Sequence, residues 1–364
     1  MNNKLRVGIL GATGMVGQRF ITLLENHPWF EVVTLAASPR SAGQTYENAV
    51  GDRWKMDTAI PENIKKLVVK NVNEIDSVAL EVDFVFSAVD MTKDEIKKIE
   101  EDYAKAEVPV VSNNSAHRWT PDVPMIIPEI NPEHTEVIKH QMERLGTKRG
   151  FIAVKPNCSI QSYTPALNAL KEFGPKIVVA TTYQAISGAG KTFKDWPEML
   201  DNVIPFIGGE EEKSEQEPLK IWGKVEDKII KKAVNPLITT QCIRVPVSDG
   251  HTAAVFVSFE KKPTKEQILN AWKNYKGIPQ LKDFPNAPKQ FITYFEEENR
   301  PQAKLDRDIE NGFGISLGRL REDTVYDYKF VGLSHNTVRG AAGGALLMAE
   351  LLKSEGYITA KDTL

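Results

Sequence analysis

The sequence is short of cysteine, of charge of one sign and of long apolar runs, and each shortage excludes a class of protein. The two cysteines, Cys158 and Cys242, are too few for a disulfide framework or a zinc site, so we predict no metal. A formal net charge of −3 provides no basic surface for nucleic acid or for an anionic membrane. No apolar run approaches the roughly 20 residues that cross a bilayer. The start, "MNNKLRVGIL", lacks a secretory signal pattern, and we expect a cytoplasmic protein with free thiols.

Strand and helix signals alternate along roughly the first 130 residues. The apolar runs "LRVGIL" and "EVVTLAAS" are typical of buried strands. Two further runs, "DFVFSAV" (83–89) and "VPVVSNN" (108–114), flank a helical stretch in which Thr92 and Glu95 form a capping-box pattern. This alternation predicts a parallel sheet with helices on both faces.

The pattern changes at residue 151, after which longer strand-like runs such as "KIVVATTYQAIS" and "TAAVFVSFE" predominate. Helices are predicted at 160–173 and 264–276, and a long loop-rich stretch at 187–235. These elements predict a mixed or mostly antiparallel sheet. The tail, from residue 336, predicts a helix lined with glycine and alanine that packs closely, back against the first domain.

We therefore expect an α/β protein of two domains, as the length of 364 residues allows. The first domain is predicted to span residues 1–133 and to be completed by the C-terminal helix, 336–364. The second is predicted to span residues 134–335 and to have an α+β arrangement with a mixed sheet.

A glycine-rich loop follows the first predicted strand in "VGILGATGMVGQRF", with glycines three positions apart. Backbone amides at a helix start approach a pyrophosphate only where side chains are absent. The spacing is GxxGxxG instead of GxGxxG, and a tight strand-to-helix turn would also explain it. Its place after the first strand of an α/β pattern favours dinucleotide binding. The predicted cofactor contacts in this loop are Gly11, Thr13, Gly14, Met15, Val16 and Gly17.

The end of the second strand indicates which dinucleotide binds. An NAD site usually carries an acidic residue there to hold the ribose 2′-hydroxyl. Here "LAASPRSAG" has no acid and instead offers Ser38, Arg40 and Ser41, which suit a 2′-phosphate. NADP is the predicted cofactor, with an ordinary polar turn as the alternative.

Cys158 lies in "KPNCSIQSYTPAL", at the predicted start of the 160–173 helix, where a helix dipole lowers a thiol pKa. His251 begins a strand and Arg244 ends another, so the two could converge on the cysteine. Taken singly, each of these residues is more typical of a structural role. Cys242 has the pattern of a buried strand residue.

Five motifs in order, "GATGMVGQ", "NCS" (157–159), "YQAISGAG" (183–190), "RVPVSDGHT" (244–252) and "HNTVRGAAGG" (335–344), resemble the aspartate-β-semialdehyde dehydrogenase family in its archaeal and fungal branch. The resemblance covers nearly the whole chain. It implies a Rossmann-like NADP-binding domain, an α+β catalytic and dimerisation domain, and a homodimer or homotetramer.

The resemblance also implies roles for single residues. Cys158 would be the nucleophile, His251 the acid/base and Gln184 a group that orients the acyl intermediate. Substrate contacts would come from Arg244 at the α-carboxylate, Glu210 at the amino group, Lys213 and Arg118 at the phosphate, and Asn157. Cofactor contacts would come from Ser87, Ser187, Gly188, Gly190 and Asn336. On pattern alone, "EEEK" is also typical of a solvated charge run, and Glu211 competes with Glu210.

The reaction implied is the NADPH-dependent reduction of L-aspartyl-4-phosphate to L-aspartate-4-semialdehyde through a cysteine thioester, with loss of phosphate. It belongs to lysine, threonine and methionine biosynthesis. Three alternatives stay open on sequence: a malonyl-CoA reductase, an N-acetylglutamyl-phosphate reductase, and a catalytically silent NADP-binding sensor on the same fold.

Overall fold

The structure, a computed structural model, describes residues 4–361. The outermost parts of the predicted domain ranges, residues 1–3 and 362–364, lie outside the described residues. Within residues 4–361, no helix combines the length and the apolar character that crossing a bilayer requires.

The N-terminal half of the chain forms a parallel sheet. Its strands are β1 (Leu5–Leu10), β2 (Phe30–Ala37), β3 (Lys70–Asn71), β4 (Phe84–Ser87), β5 (Val110–Ser112) and β6 (Ile152–Val154). Their order across the sheet is β3-β2-β1-β4-β5-β6, and each recorded pairing is parallel. This is the order of a doubly wound dinucleotide-binding sheet, in which ligands bind beyond the carboxyl ends of the strands.

Helices cover both faces of this sheet, as the alternating pattern predicts. The helices that precede or follow its strands are α1 (Met15–Leu24), α2 (Tyr46–Val50), α3 (Glu62–Lys65), α4 (Ile75–Ala79), α5 (Lys93–Lys105) and α6 (Ile138–Leu145). Helix α5 begins with the predicted capping box between Thr92 and Glu95. Since side chains alternate along β4, Phe84 and Phe86 pack into one core cluster while Val85 packs into the other.

The second sheet is mixed, which confirms the predicted fold class. Its strands are β7 (Pro175–Gln184), β10 (Leu237–Arg244), β11 (His251–Phe259), β12 (Ile292–Phe295), β13 (Ile315–Glu322) and β14 (Tyr328–Ser334), and a separate hairpin is formed by β8 (Lys224–Glu226) and β9 (Ile229–Lys231). The order is β10-β7-β11-β14-β13-β12. Strands β7 and β10 are parallel, whereas β11 is antiparallel to both β7 and β14.

The remaining helices are α7 (Thr164–Asn168), α8 (Glu210–Ile221), α9 (Lys265–Asn274), α10 (Ile278–Leu281), α11 (Ala303–Asp306) and α12 (Gly343–Ser354), with short 3-10 turns between several of them. The helix predicted at 264–276 is α9. The stretch at 187–235, predicted to be loop-rich, contains α8 and the β8–β9 hairpin, so that prediction is wrong in part.

The helix predicted at 160–173 is broken into pieces. A 3-10 turn spans Ser159–Ser162, Tyr163 leaves the helical conformation with φ −139°, and α7 follows. Pro165 is the second residue of α7, in the first turn, where a proline is best tolerated because its missing N–H has no helical partner there. Cys158 therefore precedes a single short turn and not a long helix.

The C-terminal helix returns to the first sheet, as predicted, although α12 begins only at Gly343, after a π-helical turn at Val338–Ala342. Its residues Leu346 and Leu351 share a core cluster with Phe20 of α1 and Phe86 of β4. The first sheet also takes its last strand, β6, from beyond the predicted boundary at residue 133, and the division into domains stays a prediction.

Candidate active site

Strand register brings three of the predicted site residues to one edge of the second sheet. Arg244, at the end of β10, pairs with Gln184 at the end of the parallel strand β7. His251 begins the antiparallel strand β11, whose next residue pairs with Tyr183. Because β7 and β10 end where β11 begins, the three side chains lie together. Cys158 reaches the same place from the first sheet, just beyond the carboxyl end of β6.

Cys158 and His251 are in contact, as the resemblance implies. The Cys158 Sγ lies 3.4 Å from His251 Nε2. On the other side of the ring, Nδ1 accepts a hydrogen bond of 3.0 Å from the backbone N–H of Ala185. Since Nδ1 must be unprotonated to accept it, the neutral ring carries its proton on Nε2, which faces the sulfur. Burial, assisted by the nearby Arg244 cation, lowers the pKa of His251 to about 3, so the neutral ring is the form present near pH 7.

The prediction that a helix lowers the thiol pKa of Cys158 is wrong. Burial raises the pKa of Cys158, and the Glu210 carboxylate raises it further. The cations Lys155, Arg118 and Arg244 act in the opposite direction. The 3-10 turn that follows Cys158 has four residues, too few to align a dipole like that of a long helix. Stabilisation of a thiolate here therefore depends on side-chain cations.

Glu210 is buried at the start of α8 and gathers several donors, so "EEEK" is not a solvated charge run. The Asn157 Nδ2 donates to both carboxylate oxygens at 3.0 Å, and Lys213 Nζ donates to Oε1 at 2.8 Å. Gln184 Nε2 donates more weakly, at 3.3 Å. Burial raises the pKa of Glu210, but Lys213 and these donors outweigh burial, and the net shift is downward. Glu211, by contrast, accepts from the backbone N–H of Cys242 at 3.4 Å.

Arg118 is held by a buried carboxylate that the sequence did not reveal as a site residue. Its Nη1 donates to Glu217 Oε1 at 2.9 Å, and its Nε donates to the Lys155 carbonyl at 3.1 Å. The other oxygen of Glu217 accepts the backbone N–H of Asn157 at 2.5 Å. Glu217 thus fixes Arg118 to the loop that carries Cys158.

Most of the predicted substrate and nicotinamide residues line one cleft of about 300 Å³. Arg244, His251 and Gln184 do not line it and are buried behind its wall. Its walls include Met15, Val16, Arg118, Asn157, Cys158, Ser187, Gly188, Gly190, Glu210, Lys213 and Asn336. Asn336 is held in place because its Nδ2 donates to Ser187 Oγ at 2.9 Å and its Oδ1 accepts from the Gly250 N–H at 2.7 Å.

The backbone of Gly188 lies directly against the side chains of Arg244 and His251. A Cβ atom on Gly188 would lie 2.8 Å from Arg244 Nη1 and 3.1 Å from His251 Nε2. Arg244 is itself buried, and its Nη1 donates to the Ala185 carbonyl at 2.6 Å. A glycine at this position therefore keeps both side chains close to the cleft.

A second cleft of about 290 Å³ lies on the other side of the glycine-rich loop, and its walls include Gly11, Thr13, Gly14, Ser38, Arg40 and Arg53. Ser41 lines an adjoining cleft with Arg40 and Arg53. Gly11 has φ +84°, and a Cβ there would lie 2.2 Å from the Ala88 carbonyl oxygen. Gly14 lines the second cleft and Met15 lines the first. The two clefts therefore lie along the glycine-rich loop, where a dinucleotide would bind. The residues present fit NADP.

Two predicted cofactor residues, Gly17 and Ser87, line none of these three clefts. Gly17 supports the loop, because a Cβ there would lie 2.4 Å from the Gly11 carbonyl oxygen. The Ser87 hydroxyl accepts a hydrogen bond of 3.1 Å from Asn114, which lines the first cleft. Sequence reasoning missed Arg53, in "GDRW", and Lys155, three residues before Cys158. Adjacency to the cysteine was the only signal for Lys155, and nothing in the sequence pattern indicated Arg53 or Glu217.

Known proteins are similar in sequence to this chain over nearly its whole length. Two family models match: "Semialdehyde dehydrogenase, NAD binding domain" over residues 6–138 and "Semialdehyde dehydrogenase, dimerisation domain" over residues 167–339. The aspartate-semialdehyde dehydrogenase of Methanothermobacter thermautotrophicus is 42% identical over 351 residues, which cover 96% of this chain and 99% of that protein. That of Schizosaccharomyces pombe is 43% identical over 359 residues, with 97% and 99% covered.

Solved structures show the same similarity in three dimensions. The structure of aspartate semialdehyde dehydrogenase with NADP from Candida albicans matches with a TM-score of 0.88 at 39% identity, covering 98% of this chain and 100% of that one. Aspartate semialdehyde dehydrogenase II complexed with ASA from Vibrio cholerae matches with a TM-score of 0.74 at 26% identity, covering 98% and 100%. The chain described here belongs to the aspartate-semialdehyde dehydrogenase family, as its archaeal and fungal motifs predict.

Proposed function

We propose that this chain is an NADP-dependent aspartate-semialdehyde dehydrogenase, which reduces L-aspartyl-4-phosphate to L-aspartate-4-semialdehyde and releases phosphate. The observation that carries the proposal is the contact of 3.4 Å between the buried His251 Nε2 and the Sγ of Cys158, which lines a cleft rich in charged side chains. The names of the archaeal and fungal relatives, at more than 40% identity over nearly the full length, favour this substrate over malonyl-CoA.

The charges around Cys158 match those of an aminoacyl phosphate. Arg244, buried beside His251, would pair with the α-carboxylate through its planar guanidinium. Glu210 remains a carboxylate, because its pKa is lowered overall, and would bind the α-ammonium group. Lys213 and Arg118 line the same cleft and would hold the phosphate. A coenzyme A thioester without an amino group would leave Glu210 without a cationic partner from the substrate.

NADPH would lie along the glycine-rich loop, with its 2′-phosphate at Ser38, Arg40 and Arg53 and its nicotinamide near Asn336. The bound nicotinamide supplies the hydride that reduces the acyl group. The loop contributes backbone amides at the start of α1, where Gly14 precedes the first helical residue. Arginine side chains at the 2′-phosphate would give the preference for NADP over NAD.

Cys158 and His251 would carry the covalent chemistry. The thiolate attacks the acyl carbon, a sulfur–carbon bond forms, and the carbon–oxygen bond to phosphate breaks, which leaves a thioester. A thioester keeps the acyl carbon electrophilic, and a thiolate is a good leaving group when the aldehyde is released. Throughout, the Nε2–H of His251 points at the reacting atoms and can donate to the sulfur or to the developing oxyanion.

The proposed function is tested by running the reaction backwards. The purified protein is mixed with aspartate semialdehyde, NADP and phosphate or arsenate, and the absorbance of NADPH is followed. We expect NADPH to form only when the aldehyde and the anion are both present. Reduction of malonyl-CoA by NADPH at a comparable kcat/KM, or cofactor binding without turnover of either substrate, would contradict the proposal.

Replacing Arg40 with aspartate is expected to weaken the binding of NADPH far more than the binding of NADH. The substitution removes a cation from the 2′-phosphate site and adds an anion that also suits a 2′-hydroxyl. We expect KM for NADPH to rise by about tenfold or more, with a small change for NADH. Arg321→Asp, at an exposed position of β13, makes the same charge change elsewhere and controls for net charge. Equal losses with the two coenzymes would count against the assignment.

We also propose that the protein is a homodimer or homotetramer and that it is cytoplasmic. The outer face of the second sheet carries exposed apolar side chains, among them Tyr183 on β7 and Leu237 on β10, which suits a homodimer or homotetramer. Both cysteines are free, as in a cytoplasmic protein. Light scattering in solution should give a multiple of the chain mass, and a monomer would refute the assembly.

A further inference from the structure

Lys155 is a buried lysine for which the proposed reaction has so far given no role. It follows β6 directly, and 2% of its surface is exposed. Its ammonium group donates to the backbone carbonyls of Pro156 and Gly340. Burying an ammonium group costs free energy, so we expect a buried lysine to have a structural or functional role.

Both carbonyl partners of Lys155 belong to backbone that touches Cys158. Pro156 lies two residues before the cysteine on the same loop. Gly340 lies across from it, since a Cβ on Gly340 would be 2.7 Å from the Cys158 Cβ. Lys155 also lines the same cleft as Cys158. The ammonium therefore joins the loop of the cysteine to the C-terminal segment that carries Asn336.

Lys155 differs from the other two cations near Cys158 in how its charge is balanced. Arg118 is neutralised by Glu217 in an ion pair of 2.9 Å. Arg244 is assigned to the substrate carboxylate and would be neutralised when substrate binds. In residues 4–361, both hydrogen-bond acceptors of the Lys155 ammonium are uncharged carbonyls. Its charge remains available to a thiolate.

The other charged groups near this pair do not replace Lys155. Glu210, on α8, disfavours a thiolate at Cys158. Arg339, on the C-terminal segment, is paired with Glu129 at 2.5 Å. His251, on β11, is neutral and offers only its Nε2–H.

We propose that Lys155 is the positioning residue of the nucleophile: its ammonium holds the Cys158 loop against Gly340 and stabilises the Cys158 thiolate by charge. This rests on the proposed role of Cys158 as nucleophile. One buried side chain thus stabilises the thiolate, a role that the sequence pattern had led us to expect of a helix dipole.

The effect is reciprocal between the two groups. Burial, together with Arg118 and Arg339, lowers the pKa of Lys155 to about 7, whereas a thiolate at Cys158 raises it and the Glu217 carboxylate raises it less. In return, the charged ammonium lowers the pKa of the thiol. Removing the ammonium should therefore shift formation of the thiolate to higher pH.

The test measures the thiolate directly, without turnover. The rate of alkylation of Cys158 by iodoacetamide is followed from pH 5 to 10 in the parent, in Lys155→Met and in Lys155→Gln, and mass spectrometry assigns the modified cysteine. Glutamine keeps N–H donors for the carbonyls without the charge. We expect both variants to alkylate at least about tenfold more slowly near pH 7.5, with the pH profile displaced upward.

Lys220→Met is the matched control. Lys220 is also a buried lysine whose ammonium donates to backbone carbonyls, those of Arg118, Thr120 and Val123. Its loss should leave the alkylation profile of Cys158 within about threefold of the parent, whatever it does to stability. An unchanged profile in Lys155→Gln, or an equal displacement in Lys220→Met, would overturn the inference. Because alkylation needs no substrate, failure of the proposed dehydrogenase activity would be seen separately in the turnover assay.

Discussion

Replacing Cys158 with serine is expected to abolish turnover while leaving NADPH binding intact. A serine hydroxyl in this pocket stays protonated near pH 7 and is a poor leaving group, so neither formation nor collapse of the acyl intermediate would proceed. We expect kcat to fall by roughly 10³-fold or more, the scale seen when a covalent nucleophile is removed. Turnover is measured by NADPH absorbance, and binding by quenching of protein fluorescence.

Cys242→Ser provides the matched control, because it changes the chain's other cysteine in the same way. Cys242 is buried on β10, and its sulfur lies 3.6 Å from the hydroxyl of Ser214. We expect its activity to stay within a few-fold of the parent. Comparable turnover in Cys158→Ser would show that Cys158 is not the nucleophile.

Replacing His251 with glutamine is expected to lower kcat by roughly 10²- to 10⁴-fold, the usual contribution of a positioned proton carrier. Glutamine can place an amide N–H near the position of Nε2, so it keeps a hydrogen-bond donor to Cys158 but cannot exchange the proton. His251→Ala, which removes the donor as well, should lose at least as much activity. Full activity in the glutamine variant would mean that hydrogen-bond donation alone suffices, and would contradict the acid/base role that the resemblance implies for His251.

The neutral ring of His251 has a consequence for the pH profile. Its pKa is lowered to about 3, so the charged form gains population only in strongly acidic solution. The imidazole proton on Nε2 is then present throughout the range from about pH 5 to 9. We expect no inflection of kcat near pH 6.5 that depends on His251. An inflection there that disappears in His251→Gln would show that the folded site does not hold the ring neutral.

Local pattern was enough to predict four strands of the first sheet, β1, β2, β4 and β5, but not β3, and it left β6 beyond the predicted domain boundary. The four predicted strands are apolar runs and the turn after β1 carries glycine, so each is encoded by residues close to one another in sequence. The left-handed turn at Gly11, with φ +84°, is also local, whereas the close approach of the Ala88 carbonyl to Gly11 comes from a distant segment. The role of Gly11 in cofactor binding stays a prediction. The capping box of α5, from Thr92 to Glu95, is local in the same way.

The charged parts of the site could not be predicted in this way, because they depend on contacts between distant segments. Glu217 binds Asn157 across 60 positions, and Lys155 binds Gly340 across 185. A glutamate in "EEEKSEQE" has the same local pattern whether it lies in solvent or in a cleft. Only the packing of α8 against the loop of the cysteine distinguishes Glu210 from its neighbours.

The prediction of a helix at 160–173 was wrong for a different reason. Its apolar positions match helical spacing, but its hydroxyl side chains compete for the backbone. The Ser162 hydroxyl donates to the Ser159 carbonyl at 2.7 Å, and Ser159 is tied to Asn157 by two further hydrogen bonds. These contacts favour a tight turn directly after Cys158, which places the sulfur beside His251.

The return of α12 to the first sheet sets an order of events during synthesis on the ribosome. The strands and α1 of the first sheet are made early, but one of their core clusters contains Leu346, Leu347 and Leu351. Until Gly343–Ser354 has left the exit tunnel, the part of that face on which α12 packs is uncovered, although the strands beneath it are complete. The nascent chain therefore carries an incomplete apolar core while the whole second sheet is translated, and transiently exposed apolar surface of this kind favours aggregation.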